Sequence, residues 1–278
     1  MSFKNYVPIA LDTKINQELS KDMVFYEDTN HEYEGKAKEI GDKVKILNAG
    51  KPTIQTFNDG KLHEITPEEM QGSSIMLPID HTSEFSFYVG DIDKAIAAGN
   101  LFSTYLQEAK EGLQDEIDTF IASFAADSNA KINAKSTAVS ASNVLGYIDE
   151  CVDELYANNV KASTQIVISA SPKFCRLVKT AYRNLDTDNH GLLANGLMGT
   201  YDGKKLKMTN NVYRATESNV EWEYIQIKTQ RAIAFAKPYV HTEPYRENKK
   251  WEDIINGYVL YGGVLARPKE MVTLKVKY

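Results

Sequence analysis

The chain has 278 residues, enough for one large or two moderate domains, and a chain of this size buries about 75% of the surface that its unfolded form exposes. Hydrophobic residues make up 42% and charged residues 25%, the usage of a folded globular protein and not of a disordered or collagen-like one. The net charge is −6 and Lys and Arg are spread along the chain; with no basic tail or block to release counterions from phosphates, sequence-specific nucleic-acid binding is disfavoured.

The opening Met1 to Pro8 has neither the basic n-region nor the long apolar h-region of a secretory signal. No apolar run reaches membrane-spanning length, so a cytosolic protein without membrane contact is expected. Residues 1–40 are polar and weakly periodic, with Tyr6, Ile9, Leu11, Ile15 and Leu19 scattered among polar side chains. Such a segment gains order only by lying on something else, in an assembly a neighbouring subunit. From Gly41, Val44 and Ile46 alternate with Lys43 and Lys45 as in a half-buried strand. Turn signals at 48–50, Pro52 and Asn58-Asp59-Gly60 then bracket a long hairpin, poor in apolar surface, with sides at 53–57 and 62–65. Ile75, Leu77 and Ile79, then Phe85, Phe87 and Val89, continue the period of two and predict a small sheet at the hairpin's root.

The strongest helix is predicted over 101–126, where Leu106, Ala109, Leu113, Ile117, Phe120 and Phe124 recur at spacings of three and four. Glu108, Glu111, Asp115 and Asp118 run along the opposite face. Paired carboxylates at such spacing suit metal or acid/base chemistry, but no His accompanies them at ligand spacing, and the stripe reads as solvated or interface-facing. A second amphipathic helix over 142–158 carries Val144, Ile148, Val152 and Leu155 on one side and leads into a strand at 165–168. Ser171-Pro172 has the form of an N-cap followed by proline at the first helical position, opening a third helix with Phe174, Leu177, Val178 and Ala181 on its apolar face. Helix, strand and helix in this order predict an α/β layer covering a sheet. Residues 184–203 read as a glycine-bearing loop; lacking a Gly-Lys-Ser/Thr ending and GxGxxG, it is not a phosphate loop. Strands follow around Ile225 and Ile227, Ile233 and Phe235, Tyr258 to Tyr261, and Val272, Leu274 and Val276, and are expected to pack on the long helix.

Local signatures of catalysis are missing. His31, His63, His81, His190 and His241 all stand more than four residues apart, so no HExxH helix or paired-His metal site is encoded locally. His63-Glu64 continues into Ile65-Thr66-Pro67, where proline breaks the helix such a motif needs, and His63 reads as an exposed hairpin residue. There is no GxSxG elbow. Cys151 and Cys175 form no CxxC pair, sit beside no His, and fall at apolar positions of helical patterns, as buried free thiols do. The sequence thus offers no catalytic, cofactor-binding or metal-binding residues and favours a structural protein over an enzyme.

Several stretches occur together in a telling order. These are Glu34-Gly35-Lys36-Ala37-Lys38-Glu39-Ile40-Gly41 running on to Ile46, Asp91-Ile92-Asp93-Lys94-Ala95 ahead of the long helix, and Gly199-Thr200-Tyr201-Asp202-Gly203 leading into Met208 to Asn211. The ending follows, from Ala232-Ile233-Ala234-Phe235 through Tyr258 to Pro268. In this order and at these distances they resemble the major capsid proteins of tailed bacteriophages, the Hong Kong ninety-seven type, over nearly the whole chain.

The resemblance implies an α+β tailed-phage major capsid fold. Its parts would be an N-terminal arm at 1–40, a strand and extended hairpin loop at 41–79 with its tip at about 48–72, a peripheral domain with the spine helix at 80–129 and 231–278, and an axial domain at 130–230. It also implies a coat subunit without cofactor or enzymatic role, self-assembling as hexamers and pentamers into the icosahedral shell of a virion in the host cytoplasm. Scaffolding, portal and decoration proteins would be its partners, with only non-specific contact to packaged DNA. Arm and hairpin would lie across neighbours, adding interface area without enlarging the core. The mild acidity suits an inner wall that does not hold nucleic acid. No long helical segment precedes residue 40, so a fused internal scaffold is not expected. Some members bond a hairpin lysine to a peripheral-domain asparagine; Lys51 or Lys61 and Asn256 would be the pair here, and an ordinary exposed lysine and strand-edge asparagine fit the same residues. Two other readings stay open: an encapsulin-type nanocompartment shell enclosing cargo enzymes, and a small cytosolic α/β enzyme with a dispersed site.

Overall fold

A computed structural model describes residues 23–34, 43–49, 72–90, 100–183, 198–246 and 252–278, with scattered positions of the hairpin between 53 and 69. Tyr6 to Leu19, Lys51, His63, the stretch at 91–95, and 184–197 with His190 lie outside the described residues. In chain order the elements are β1 (Lys43–Ala49), β2 (Gly72–Pro78), β3 (His81–Gly90), α1 (Asn100–Ser123), β4 (Lys131–Ala134), α2 (Val144–Ala157), β5 (Ile166–Ala170) and α3 (Pro172–Arg183). There follow β6 (Met198–Tyr201), β7 (Lys204–Met208), β8 (Arg214–Glu217), β9 (Val220–Thr229), β10 (Ile233–Arg246), β11 (Glu252–Leu265) and β12 (Met271–Val276).

The elements form two layered halves. In the first, β10, β11 and β3 make an antiparallel sheet whose one face packs on α1, with Leu106, Leu113, Ile117 and Ile121 against Ile233, Phe235, Val259 and Leu265. Its other face is crossed by the β1–β2 pair, in register from Lys43 opposite Pro78 to Ala49 opposite Gly72. Val44, Ile46, Leu77 and Ile79 turn inward there onto Ala234, Ala236 and Leu260, as the period of two in the sequence requires. At the crossing stands Gly262. A Cβ on it would lie 1.9 Å from the carbonyl oxygen of Pro78, so β2 passes β11 only over a residue without a side chain.

In the second half, seven strands are ordered β4-β12-β9-β5-β7-β6, with β8 paired to β9. α2 and α3 cover one face, bringing Val144, Ile148, Leu155, Phe174 and Val178 onto Ile168, Ile225, Ile227 and Leu274, the α/β layer expected from helix, strand and helix. α3 starts where Ser171-Pro172 predicts: the Ser171 hydroxyl oxygen accepts the N–H of Phe174 at 3.2 Å.

Three features differ from the sequence reading. β12 does not join the 231–278 part but pairs with β9 and β4 inside the seven-stranded sheet, with Val272, Leu274 and Val276 under α2 and α3. Alternation marks a buried face without saying which sheet buries it. The end of the supposed 184–203 loop is the β6–β7 hairpin, closed by Asp202 and Gly203 at φ 45° and 75°, the left-handed pair a two-residue turn needs. Finally, part of the polar arm folds on its own chain. Met23, Phe25 and Tyr26 are buried among α1 and β10 residues, and Asn30 bonds Ile233 and Phe235 through the backbone at 2.9 and 3.1 Å.

Replacing Gly262 by Ala should force β2 off β11 and cost about 1–3 kcal/mol, the usual penalty of overpacking, seen as a lower thermal midpoint. An unchanged midpoint would show that the crossing relaxes freely.

Candidate functional site

A seam of buried polar groups lies between the two halves. β9 is central, so its residues from Glu223 to Thr229 are buried on both faces; Ile225 and Ile227 face the helices, and Gln226 and Lys228 face the other way. The Gln226 amide donates to the carbonyls of Ile121 and Ala122, at 3.1 Å each, giving partners to end-of-helix carbonyls of α1 that have none within the helix. Lys228, fully buried, donates to the carbonyl of Asp28 at 2.9 Å, and burial pulls its ammonium down to about 8 although Asp28 pulls the other way. Lys207 pairs with the carboxylates of Asp28 at 2.8 Å and Glu27 at 3.0 Å; burial opposes its charge, but these bonds outweigh it and hold the ammonium above its ordinary range.

Asp118 corrects the sequence reading of one solvated or interface-facing acidic stripe. Glu108, Glu111 and Asp115 are exposed, but Asp118 is only 5% exposed, beside the equally covered Gln114 and beneath residues 23–26. Its Oδ2 accepts the N–H of Val24 at 3.2 Å. Burial raises the carboxyl to about 6, against the pull of the N–H groups of Val24, Phe25 and Tyr26. Farther along the same segment the Tyr26 hydroxyl donates to Glu34 at 2.9 Å, and His31 Nδ1 stands 3.3 Å from that oxygen. Burial, with Glu34 adding to it, holds the Tyr26 phenol well above its ordinary range.

A second polar cluster stands at the start of α3. Glu223 accepts from Ser171 Oγ at 2.6 Å and from the Tyr278 hydroxyl at 2.5 Å, and its other oxygen pairs with Arg214 at 3.0 Å. Ser171 is buried and already serves as the helix cap, so the cluster is a closed brace and not an exposed nucleophile.

The chemistry-bearing residues are not gathered together. Burial raises the thiols of Cys151 to about 12 and Cys175 to about 11, which keeps both protonated at neutral pH. His31, His81 and His241 stand on separate segments, and no group of three His, Cys, Asp or Glu among the described residues is placed to hold a metal ion. Asn256 is exposed on β11 and accepts from Ser86 Oγ at 2.7 Å; Lys61 is exposed in the hairpin.

Among the described residues the exposed large apolar side chains fall mostly into two groups, with Tyr105, Ile132 and Tyr156 standing apart. Leu47 is 75% exposed and Ile54 87%, with Met76 and Phe57 also open to solvent, all on the hairpin. Tyr88, Ile254 and Tyr245 stand in register across β3, β11 and β10, with both tyrosines exposed. Apolar surface grouped in this way is a candidate contact surface.

No protein-family model matches the chain, and no curated protein matches it. Solved structures do. One from Mycobacterium phage Che8 aligns with a TM-score of 0.75 at 24% identity, covering 91% of this chain and 91% of that one. The capsid of the cyanophage P-SCSP1u aligns with a TM-score of 0.73 at 14% identity, over 92% of this chain and 88% of that one. This chain has the tailed-phage major capsid fold. A virus-like particle from Pyrococcus furiosus shares the capsid fold at a TM-score of 0.61 and 12% identity, over 96% of this chain and 99% of that one.

Within the capsid fold, the seam residues are those that sequence reasoning missed. Ile225-Gln226-Ile227-Lys228 alternates like a strand with one wet face, and nothing local shows that a helix end and residues two hundred positions away cover that face. Lys228 titrates lower in the folded chain than its unfolded 10.5, so the stability it withholds below pH 8 returns as pH climbs from 8 towards 10.5. Compared with Lys228→Met, the thermal midpoint of the natural chain should therefore improve across that window; a constant difference would show Lys228 to be solvated.

Proposed function

We propose that this chain is the coat subunit of a tailed phage, assembling as hexamers and pentamers into the icosahedral shell that encloses the genome. The observation that carries the reading is the likeness to the capsid of cyanophage P-SCSP1u over 92% of the chain. In this reading α1 is the spine helix, and it and the three-stranded sheet form the peripheral domain. The seven-stranded sheet with α2 and α3 is the axial domain and takes in β12. The hairpin rooted in β1 and β2 reaches over a neighbour, where Leu47, Ile54, Phe57 and Met76 lose the exposure they have in a single subunit. Extended arms of this kind give large interfaces to subunits whose own cores stay small. Assembly would take place in the host cytoplasm, with scaffolding, portal and decoration proteins as partners, packaged DNA touched without sequence preference, and the virion as destination.

The likeness to the Pyrococcus furiosus virus-like particle, over 99% of that chain, favours one second reading, a nanocompartment shell around protein cargo. Electron microscopy of the purified chain, alone and with the products of neighbouring genes, should show closed shells, sheets or isolated hexamers. Uniform monomers or dimers in every condition would overturn both shell readings. Particles filled with nuclease-protected DNA during infection mark the phage coat; particles filled with a single enzyme mark the nanocompartment.

A covalent lysine–asparagine bond needs a dry acid beside the asparagine. The acid in register with Asn256 is Glu243, which is exposed. Particles boiled in detergent should accordingly run as monomer, and a ladder of oligomers would reverse this assignment.

A further inference from the structure

Residues 23–34 have no strand or long helix of their own, but short turns, among them the 3-10 turn at Tyr26–Asp28, yet they touch both halves of the molecule. Met23 and Phe25 enter the core between α1 and β10, Asn30 bridges to β10, Lys228 reaches the segment from β9 and Lys207 from β7. The segment thus straps the helix-backed sheet to the seven-stranded sheet, and beneath its first turn it seals Asp118.

The seal is electrostatically unbalanced. The charged groups at the seal are the exposed Asp115 on α1 and Lys228 on β9, which act on Asp118, with Asp28 on the strap and Lys207 on β7 acting in turn on Lys228, and Glu27 pairing with Lys207. Apart from Asp115, two ammonium groups meet three carboxylates. Lys207 is taken up by Glu27 and Asp28, and Lys228 donates to a backbone carbonyl, so neither bonds Asp118. Of the two Asp118 oxygens, Oδ2 accepts from Val24 and the N–H groups of Phe25 and Tyr26 also act on the carboxyl, but Oδ1 is buried without a hydrogen-bond partner among the described residues. A buried carboxylate with an unsatisfied oxygen and no cation of its own is costly, and a proton removes that cost.

We propose that residues 23–34 are a proton-linked strap, whose docking across the two halves tightens when Asp118 takes up a proton and loosens when it gives the proton back. Undocking returns Asp118 to water and to its ordinary value of 3.8, whereas under the strap it titrates at about 6. The docked state therefore binds the proton more tightly, and docking strengthens as pH falls through 6. From pH 7 to pH 5 the gain is about ten-fold.

Hydrogen exchange on the full natural chain reads this directly. At pH 5 the amides of Val24, Phe25 and Tyr26, corrected for intrinsic exchange, should be protected about ten-fold more than at pH 7, with the β5 amides from Ile166 to Ala170 as reference. Equal protection of the strap at both pH values overturns the proposal. So does a gain of the same factor in β5, because the proton would then act on the whole fold. Asp118→Asn, which keeps shape and cannot ionise, should flatten the dependence; a folded variant that retained the ten-fold gain would show that another group carries the proton. If that variant does not fold, the comparison of strap and β5 in the natural chain decides alone.

Discussion

Gln226 holds the two halves of this molecule in their relation. A helix that ends inside a protein leaves its last carbonyls without partners, and each such group left unmade costs about 1–3 kcal/mol. α1 ends against the seven-stranded sheet, where the Gln226 amide meets the carbonyls of Ile121 and Ala122 and the Ser123 hydroxyl takes that of Phe120. The end of the longest helix is thereby tied to the central strand of the larger sheet, and the three-stranded sheet packed along that helix follows its position. Strand β9 can offer such a residue because both its faces are covered, one by α2 and α3 and the other by α1 and the strap.

Lys228 extends the same face of β9 by two residues and meets a different problem. A lysine removed from water gains little stability from burial even when it is bonded, since desolvation offsets most of the attraction. What it supplies is an address: its one bond goes to the carbonyl of Asp28, so the strap has a single place to lie. Lys207 and the strap acids add a second fixed point, and the aromatic packing of Tyr26 on Phe235, at 5.6 Å between ring centres, adds a third. Together they explain how a polar segment with no regular structure becomes ordered on its own chain.

The outer surface follows the opposite rule. The hairpin presents apolar groups to solvent on the face turned away from β11, and the tyrosine row crosses the far part of the three-stranded sheet. A monomer gains nothing from either. In the shell reading proposed above, neighbouring copies would cover both.

Much of this was legible in the sequence. The period of two at Val44 and Ile46, the stripes at Leu106 to Ile117 and Val144 to Leu155, and the cap at Ser171 depend on neighbours a few residues away, and each element forms at or within a few residues of where its pattern predicts. The order of these elements was enough to suggest the capsid fold that the solved structures share. The identity of the sheet that takes β12, the burial of Asp118, and the partners of Gln226 and Lys228 were not legible. Each is decided by groups 43 to 200 positions distant that arrive only when the two halves meet. An alternating or amphipathic pattern records that one face avoids water. It carries no mark for a polar residue whose water is displaced by a distant backbone, and only the tertiary structure supplies that backbone.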